Sequence, residues 1–438
     1  MSIRSFLGAM ILLLPGISIA VTSGPAIPDT PAGHALGSWL DAFNSDDSAR
    51  IESFDKAHAP WLTLERTMDL RARTGGYDLL TIDKSEKLWI IFTGKEKAGP
   101  SQISGSLVVR SDNLADISEL SLAPAGTRSG EFTVNDPERA GVIESAEKLV
   151  NEYYVYPDIA KNMSAALKTQ QKRGDYRGIT DSDVLATRLT DDLRAVSHDR
   201  HVSVGFTSGI VPPDDPNRRP DSDPKLGQQA ADSNCGFEKA EHLAPNVGYL
   251  KLNMFAEPKF CAPTAIAAMN FLADSDALIL DVRDNHGGAP PMVALICSYL
   301  FGEPTHLGDI YDRQQNTTEQ SWTFPYLPGK RFTGKPVYVL TSRRTFSAAE
   351  EFSYDLKNLK RATLIGETTG GGAHTVAPHR LNDHFYIMVP FGRFVNAITK
   401  TDWEGTGVEP DIKVAAADAL DEALKRARDQ TPSAGSPR

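Results

Sequence analysis

The stretch KPVYVLTSRRTFSAAEEFSYDLKNLKRATLIGE, from Lys335 to Glu367, decides how this chain is read. Val337, Tyr338, Val339 and Leu340 form a short β-branched and aromatic run, the signature of a buried strand. Thr341-Ser342 ends the run, and Arg343, Arg344, Thr345 and Phe346 follow it. Ala348, Phe352, Leu356 and Leu359 then recur at helical spacing, which predicts an amphipathic helix starting at Ser347. Ser347 therefore sits on a strand–turn–helix junction, where backbone N–H groups are free and the helix dipole is positive. Two roles suit a serine there. Ser347-x-x-Glu350 reads as a capping box that only closes the helix end. The same position also suits a hydroxyl nucleophile whose developing charge needs stabilising.

A second junction supports the chemical role. The apolar run 277–282 leads into Asp281-Val282-Arg283-Asp284-Asn285-His286-Gly287-Gly288. Glycines after a strand either make a plain turn or let backbone N–H groups approach a reacting carbonyl. With the N–H of Ala348, Gly287 and Gly288 are candidate oxyanion donors. A hydroxyl nucleophile also needs a base. No lysine occurs between Lys360 and Lys400, so a downstream Ser–Lys dyad is unsupported. Histidine titrates near neutrality and suits the task better. Of ten histidines, His201 opens a strand at a domain junction, and His198, His286 and His374 compete with it. An acid should orient the imidazole. The stretch TDWEGTGVEPDI, 401–412, offers several, and spacing alone does not choose among them.

The 438 residues suffice for two or three domains. The hydrophobic share of 40% and charged share of 24% are those of a globular protein. The net charge of −11, with no basic patch, argues against a nucleic-acid partner. Residues 1–20 read as a secretory signal, with Arg4 ahead of an apolar core and Ser18-Ile19-Ala20 as a small-x-small cleavage site. No later stretch is apolar enough to span a membrane, so the expected location is periplasmic or extracellular. Residues 21–34 read as a flexible leader. Helices followed by alternating runs predict a small α+β accessory domain over 35–130. Residues 135–206 read as a helical domain. The segment 207–245, rich in Pro and Asp, reads as a loop or linker. Residues 246–416 alternate strands and helices as an α/β core, and 417–438 close the chain with a helix and a disordered tail. Cys235 and Cys261 flank one strand-like segment and form the better disulfide pair, whereas Cys297 lies in an apolar helical run. No Cys or His spacing suggests a metal site, and no cofactor is expected.

From about Pro137 to Ala416 the chain resembles the tail-specific (C-terminal processing) serine peptidase superfamily. It is most similar to the branch holding tricorn core proteases and interphotoreceptor retinoid-binding-protein-like bacterial peptidases. ALILDVRDNHGG, KPVYVLTSRRTFSAAEEF, RATLIGETTGGGAH and TDWEGTGVEPDI carry the resemblance, in the family's order. It implies a ClpP/crotonase-like α/β catalytic core behind a helical domain, and peptide-bond hydrolysis through a serine. The family's nucleophile falls on Ser347, and its oxyanion donors on Gly287, Gly288 and Ala348. In the tricorn-like branch the base matches His201 in DRHVSV, and the acid matches Glu404 in WEGTGVEPDI. Two departures stand out. Arg200 replaces the serine that links histidine to acid in that branch, so a direct or water-mediated His201–Glu404 contact is expected instead. Only the Pro/Asp-rich segment separates Phe206 from Asn246, which leaves no room for the usual PDZ domain.

The resulting expectation is an exported serine peptidase using Ser347, His201 and Glu404 on peptide or unfolded protein substrates. The rival is a catalytically weak or inactive relative that binds apolar ligands such as retinoids or fatty acids. Retention of serine, histidine and glutamate together speaks against the rival.

Overall fold

The computed structural model describes residues 25–62, 64–110, 116–125, 133–214 and 224–430. The expected signal segment 1–20 and the tail beyond 430 lie outside the described residues. The chain forms two compact units, Met1–Glu131 and Phe132–Arg438.

The first unit packs α1 (Pro31–Asn44), α2 (Ser48–His58) and α3 (Leu64–Thr74) with an antiparallel meander. The meander is β1 (Tyr77–Ser85), β2 (Trp89–Glu96), β3 (Gln102–Val109) and β4 (Ile117–Pro124), paired in that order. Leu36, Trp39 and Phe43 of α1 bury against Ile90, Phe92 and Leu107 of the sheet. Helix α1 starts inside the expected leader 21–34, which is a correction. Pro31 fits the first helical position, where no N–H is needed, and the Thr30 hydroxyl accepts the Gly33 N–H at 3.0 Å. Residues read as helix breakers are helix starters here.

The second unit opens with α4 (Asp136–Tyr153), α5 (Pro157–Arg173) and α6 (Ser182–Ser197), followed by β5 (Ser203–Phe206). Part of the expected loop 207–245 is ordered structure, a second correction: α7 (Pro224–Asp232), a 3-10 turn at Asn234–Gly236 and β6 (Phe237–Leu243). Strand β6 is an edge strand whose side chains after Phe237 are largely exposed, so its sequence looks polar. The Cys235–Cys261 disulfide ties that turn to α8 (Pro258–Phe271), and Cys297 is free and buried.

The remaining elements are β7 (Val247–Leu252), β8 (Ala277–Asp281), α9 (Pro290–Ser298), β9 (His306–Asp312), β10 (Thr317–Trp322), β11 (Val337–Thr341) and α10 (Ala348–Asn358). After them come β12 (Thr363–Gly366), β13 (His374–Arg380), β14 (Phe385–Asn396), β15 (Ile412–Lys413) and α11 (Ala419–Gln430). A six-stranded sheet runs β15-β12-β11-β8-β7-β6, parallel except at β6. Every residue of β8 and β11 is buried, as both faces of a parallel sheet are covered. Leu278, Leu280, Val337 and Val339 pack toward the core shared with α8, α9 and α10. Ala277, Ile279, Tyr338 and Leu340 face Ala419, Ala423 and Ala427 of α11. The fold class is the expected mixed α/β.

A second sheet runs β10-β9-β14-β13, and β5 also pairs with β14. The β5–β14 register, Ser203 against Met388 through Phe206 against Phe385, brings the end of the helical region onto this sheet. His201 is therefore delivered to its place by strand pairing.

Candidate active site

The loops leaving β8 and β11 lie side by side at the carboxyl ends of two neighbouring parallel strands, the usual place for a site in an open α/β sheet. Among the hydrogen bonds that join them, three run from the β11 loop to backbone carbonyls of the β8 loop. The Thr345 hydroxyl donates to the Val282 carbonyl at 2.8 Å, the Ser342 hydroxyl to the Arg283 carbonyl at 2.5 Å, and the Phe346 N–H to the Asn285 carbonyl at 3.0 Å. Ser347 is held at their meeting point with φ 55° and ψ −123°. A capping serine normally has extended backbone. A non-glycine residue in this region stores on the order of 1–3 kcal/mol. The geometry thus departs from plain helix capping.

Glu350 organises the neighbourhood. Its buried carboxylate accepts the N–H groups of Ser347 (2.9 Å), Gly371 (2.7 Å) and Gly372 (2.8 Å), and the hydroxyl of Thr369. Burial pushes this carboxyl up, and the four donors oppose that. The reciprocal half of the capping box thus ties the nucleophile's backbone to the glycine segment 370–372. The Trp403 indole N–H donates to the Gly372 carbonyl at 2.8 Å and the Gly405 N–H to the Gly371 carbonyl at 3.1 Å. The segment 402–408 is sewn down by these bonds.

His201 reaches the same place. Its ring lies 4.6 Å from that of Phe346, centroid to centroid. A Cβ on Gly372 would sit 2.6 Å from His201 Cε1 and 2.3 Å from Phe346 Cζ, so only glycine fits between them. Both ring nitrogens of His201 are buried without a hydrogen-bond partner. Burial, with the positive charges of His374, Arg194 and Arg200, outweighs the pull of Asp199 and lowers its pKa to about 4. His201 is a neutral imidazole at pH 7. Arg200 points elsewhere: its guanidinium donates to the Gly370 carbonyl at 2.7 Å and lies over the Phe346 ring.

The oxyanion candidates separate. The Gly287 N–H already donates to the Asn285 side chain at 2.8 Å. The N–H groups of Gly288 and Ala348 have no such partner among the described residues. What Gly287 contributes is space. Its φ is 104°, and a Cβ there would lie 2.7 Å from Ser347 Cβ and 3.0 Å from the Ala348 nitrogen. Gly287→Ala is therefore expected to lower kcat by roughly 10²- to 10³-fold, the effect of losing one oxyanion donor. Kinetics beside a circular-dichroism melt check this; an active, folded variant would exclude so tight an approach of Gly287 to the nucleophile.

Glu404 makes no hydrogen bond or ion pair with Ser347 or His201 among the described residues. Its Oε2 accepts the Ala373 N–H at 2.6 Å and lies 3.5 Å from His374 Nδ1. Burial and the Asp199 charge raise its pKa to about 7. His374 Nδ1 is 2.6 Å from Asp199 Oδ2, and Asp199 Oδ1 accepts the His201 N–H at 2.9 Å. Asp199 is the carboxylate that bonds the His201 backbone, and no sequence signal singled it out. His198 and His286 are exposed. Asp199, His374 and Glu404 offer potential ligand atoms within 4.8 Å of one another. Asp199 and His374 are already joined there by a hydrogen bond, which a cation would have to displace.

A cavity of about 930 Å³ adjoins Ser347. Met254, Phe260, Ile310, Met388, Phe391 and Phe394 line much of it, with His374 and Glu351 among its polar residues. Burial raises Glu351 to about 8 and Asp355, one turn later on α10, upward as well. The cavity wall at Glu351 is thus uncharged at neutral pH. Unfolded Glu351 ionises near 4.5. Between that pH and 8 the native state holds a proton that the unfolded state lacks, so stability falls as pH rises through this window. Glu351→Gln should remove the share of that dependence due to Glu351 and melt several degrees above the parent at pH 8, with the two curves converging toward pH 5. Parallel pH–stability curves would show that the carboxyl is not held neutral.

Residues 246–414 match Peptidase family S41, and residues 137–239 match the family described as "N-terminal domain of Peptidase_S41 in eukaryotic IRBP". The carboxyl-terminal-processing peptidase 2, chloroplastic, of Arabidopsis thaliana is 27% identical over 185 residues, covering 40% of this chain and 33% of its own. The carboxyl-terminal-processing protease of Synechocystis sp. is 29% identical over 168 residues, 38% of this chain and 37% of its own. The tricorn protease of Thermoplasma volcanium is 30% identical over 143 residues, 32% of this chain and 13% of its own. The chain thus spans about a third or less of the length of these relatives. Among solved structures, a putative peptidase from Parabacteroides merdae aligns with 68% of this chain and 99% of its own at TM-score 0.46 and 19% identity. A tricorn protease structure aligns with 80% and 46% at TM-score 0.42 and 14% identity. Residues 246–414 thus belong to Peptidase family S41, with the family's N-terminal domain matched ahead of them at 137–239, the order seen in the S41 superfamily of tail-specific peptidases.

Proposed function

We propose that this protein is an exported serine peptidase in which Ser347 attacks the scissile carbonyl and His201 takes and returns the proton. The Gly288 and Ala348 N–H groups stabilise the tetrahedral oxyanion. Glu404 supplies acidic support from one residue further out. The observation that carries this reading is the strained Ser347 backbone, with the neutral, buried His201 imidazole packed on the ring of its neighbour Phe346 and two N–H groups, of Gly288 and Ala348, without a partner among the described residues. The order of events follows from the protonation states. His201, neutral at pH 7, accepts the hydroxyl proton as the Oγ–carbonyl bond forms. It then donates that proton to the departing amine, and water repeats the sequence on the acyl-enzyme.

The apolar wall of the cavity favours peptides presenting an apolar side chain at the cleavage point. Export is supported by the signal-like residues 1–20 and by the Cys235–Cys261 disulfide, which suits an oxidising compartment. Among the described residues no helix is long and apolar enough to cross a membrane. The same cavity would also fit the apolar-ligand carrier reading. A peptide panel varying one position between apolar, acidic and basic residues separates them, with cleavage sites mapped by mass spectrometry. Cleavage after apolar residues supports the peptidase. An intact panel together with a co-purifying lipid supports the carrier and overturns the peptidase reading.

A further inference from the structure

We propose that His374 is a positioning residue for His201: seated between Asp199 and Glu404, it holds the Asp199 carboxylate in place against His201. The inference rests on the peptidase reading above and deepens it, since it assigns the task left open by Arg200 to a second histidine.

The geometry sets this out contact by contact. Asp199 is 1% exposed, so its charge must be met by partners inside the protein. Its Oδ2 accepts from His374 Nδ1 at 2.6 Å and from the Tyr154 hydroxyl at 3.2 Å. Its Oδ1 accepts the His201 N–H at 2.9 Å and lies 3.8 Å from His201 Nδ1, too far for a hydrogen bond. Asp199 thus fixes the His201 backbone while its stronger side-chain bond goes to His374. His374 opens β13, one residue beyond the glycine segment that Glu350 holds. The Ala373 N–H, one residue earlier, anchors Glu404 beside it.

The electrostatics run the same way. Asp199 is held below the usual carboxylate range: burial opposes this, and the bond and charge of His374, with the charge and backbone N–H of His201, outweigh burial. His374 is held above the usual histidine range: burial again opposes, and Asp199, Glu404 and Asp402 prevail. The other groups around it are the Tyr156 ring, edge-on at 5.6 Å, Tyr154 through Asp199, His201, and Arg393 opposite it on β14. With its pKa raised, His374 carries its charge at the acid pH where His201 titrates, and there it both occupies Asp199 and repels a proton from His201. Without it, the buried Asp199 carboxylate would keep only the Tyr154 hydroxyl and His201 as partners and would draw a proton onto the base.

Two variants of the full chain test this. His374→Asn keeps an N–H donor for Asp199 but no charge, and His374→Ala keeps neither. The readouts are the pH profile of fluorophosphonate labelling at Ser347 and the His201 imidazole titration followed by NMR. In both variants the His201 midpoint and the acid limb of labelling should rise by about one pH unit. The Ala variant should also lose roughly 10- to 100-fold in rate at its optimum, most of which the Asn variant recovers. A merely structural His374 would lower the rate at every pH and leave the midpoint in place. An unmoved His201 midpoint in either folded variant overturns the proposal. If His374→Ala does not fold, the Asn variant decides. Wild-type protein that takes no label at any pH would sink the peptidase reading instead, while the NMR midpoint still judges the role of His374.

Discussion

Ser347→Ala should hydrolyse peptides more slowly by a factor on the order of 10⁵, with the fold unchanged. Alanine removes the attacking oxygen and leaves the rest of the junction standing. The Glu350 carboxylate still holds the backbone N–H of residue 347 and those of Gly371 and Gly372, and the Val282, Arg283 and Asn285 carbonyls still take their bonds from the β11 loop. Any residual rate comes from the oxyanion N–H groups and substrate binding alone. The backbone at φ 55° and ψ −123° is as costly for alanine as for serine, so the melting temperature should stay within about 2 °C. Ser347→Gly separates the two contributions. It should be equally inactive and gain about 1 kcal/mol, because glycine adopts this conformation with little strain. Loss of activity with a gain in stability marks a residue kept for chemistry rather than for capping. Peptide turnover and thermal melts on the three proteins check both halves, and a destabilised glycine variant would return Ser347 to the role of an ordinary cap.

The second large effect belongs to His201. His201→Ala should cost on the order of 10⁴- to 10⁶-fold in kcat, comparable to losing the serine, and the double variant should be little worse than either single one. Non-additivity is the signature of two groups acting as one unit. The wild-type pH profile follows from the burial of this ring. Because its pKa is held at about 4, kcat/KM should stay high through pH 6 and fall only as the pH drops toward 4. The sign for stability is consistent. Between 4 and the ordinary value of 6.5 the unfolded chain binds a proton that native His201 refuses, so this residue costs stability progressively as the pH falls through that window. An acid limb centred near 6.5 would mean that the base is solvated, or is another histidine.

Much of the second unit was legible because its parallel strands are buried on both faces. The runs at 247–252, 277–281, 337–341 and 363–366 are strands as their apolar continuity implies, and Ser347 stands on the junction read for it. The antiparallel sheet was harder. Strand β10, TTEQSW, has no buried residue, and β13, HTVAPHR, carries a proline and two histidines, so neither alternates cleanly. Helix α8 was also hard to read, because Pro258 occupies its first turn and Pro263 lies inside it. The site divides in the same way. Groups fixed by local chain geometry, Ser347, Gly288 and Ala348, could be placed from spacing. The acid could not. Asp199 is two residues from His201 and looks like any polar loop residue until the β5–β14 pairing closes it against His374, 175 residues later. Gly287 was read as a donor, but its N–H is already taken by Asn285, a side-chain choice that backbone patterning does not express.

The central claim is that Ser347 is a nucleophile activated by His201. Its most direct test is fluorophosphonate labelling of the full chain at pH 7, with the modified residue mapped by peptide mass spectrometry. The adduct should fall on Ser347 in the wild type and be lost or strongly slowed in His201→Ala. Wild-type protein that stays unlabelled, or an adduct on another serine, would contradict the account.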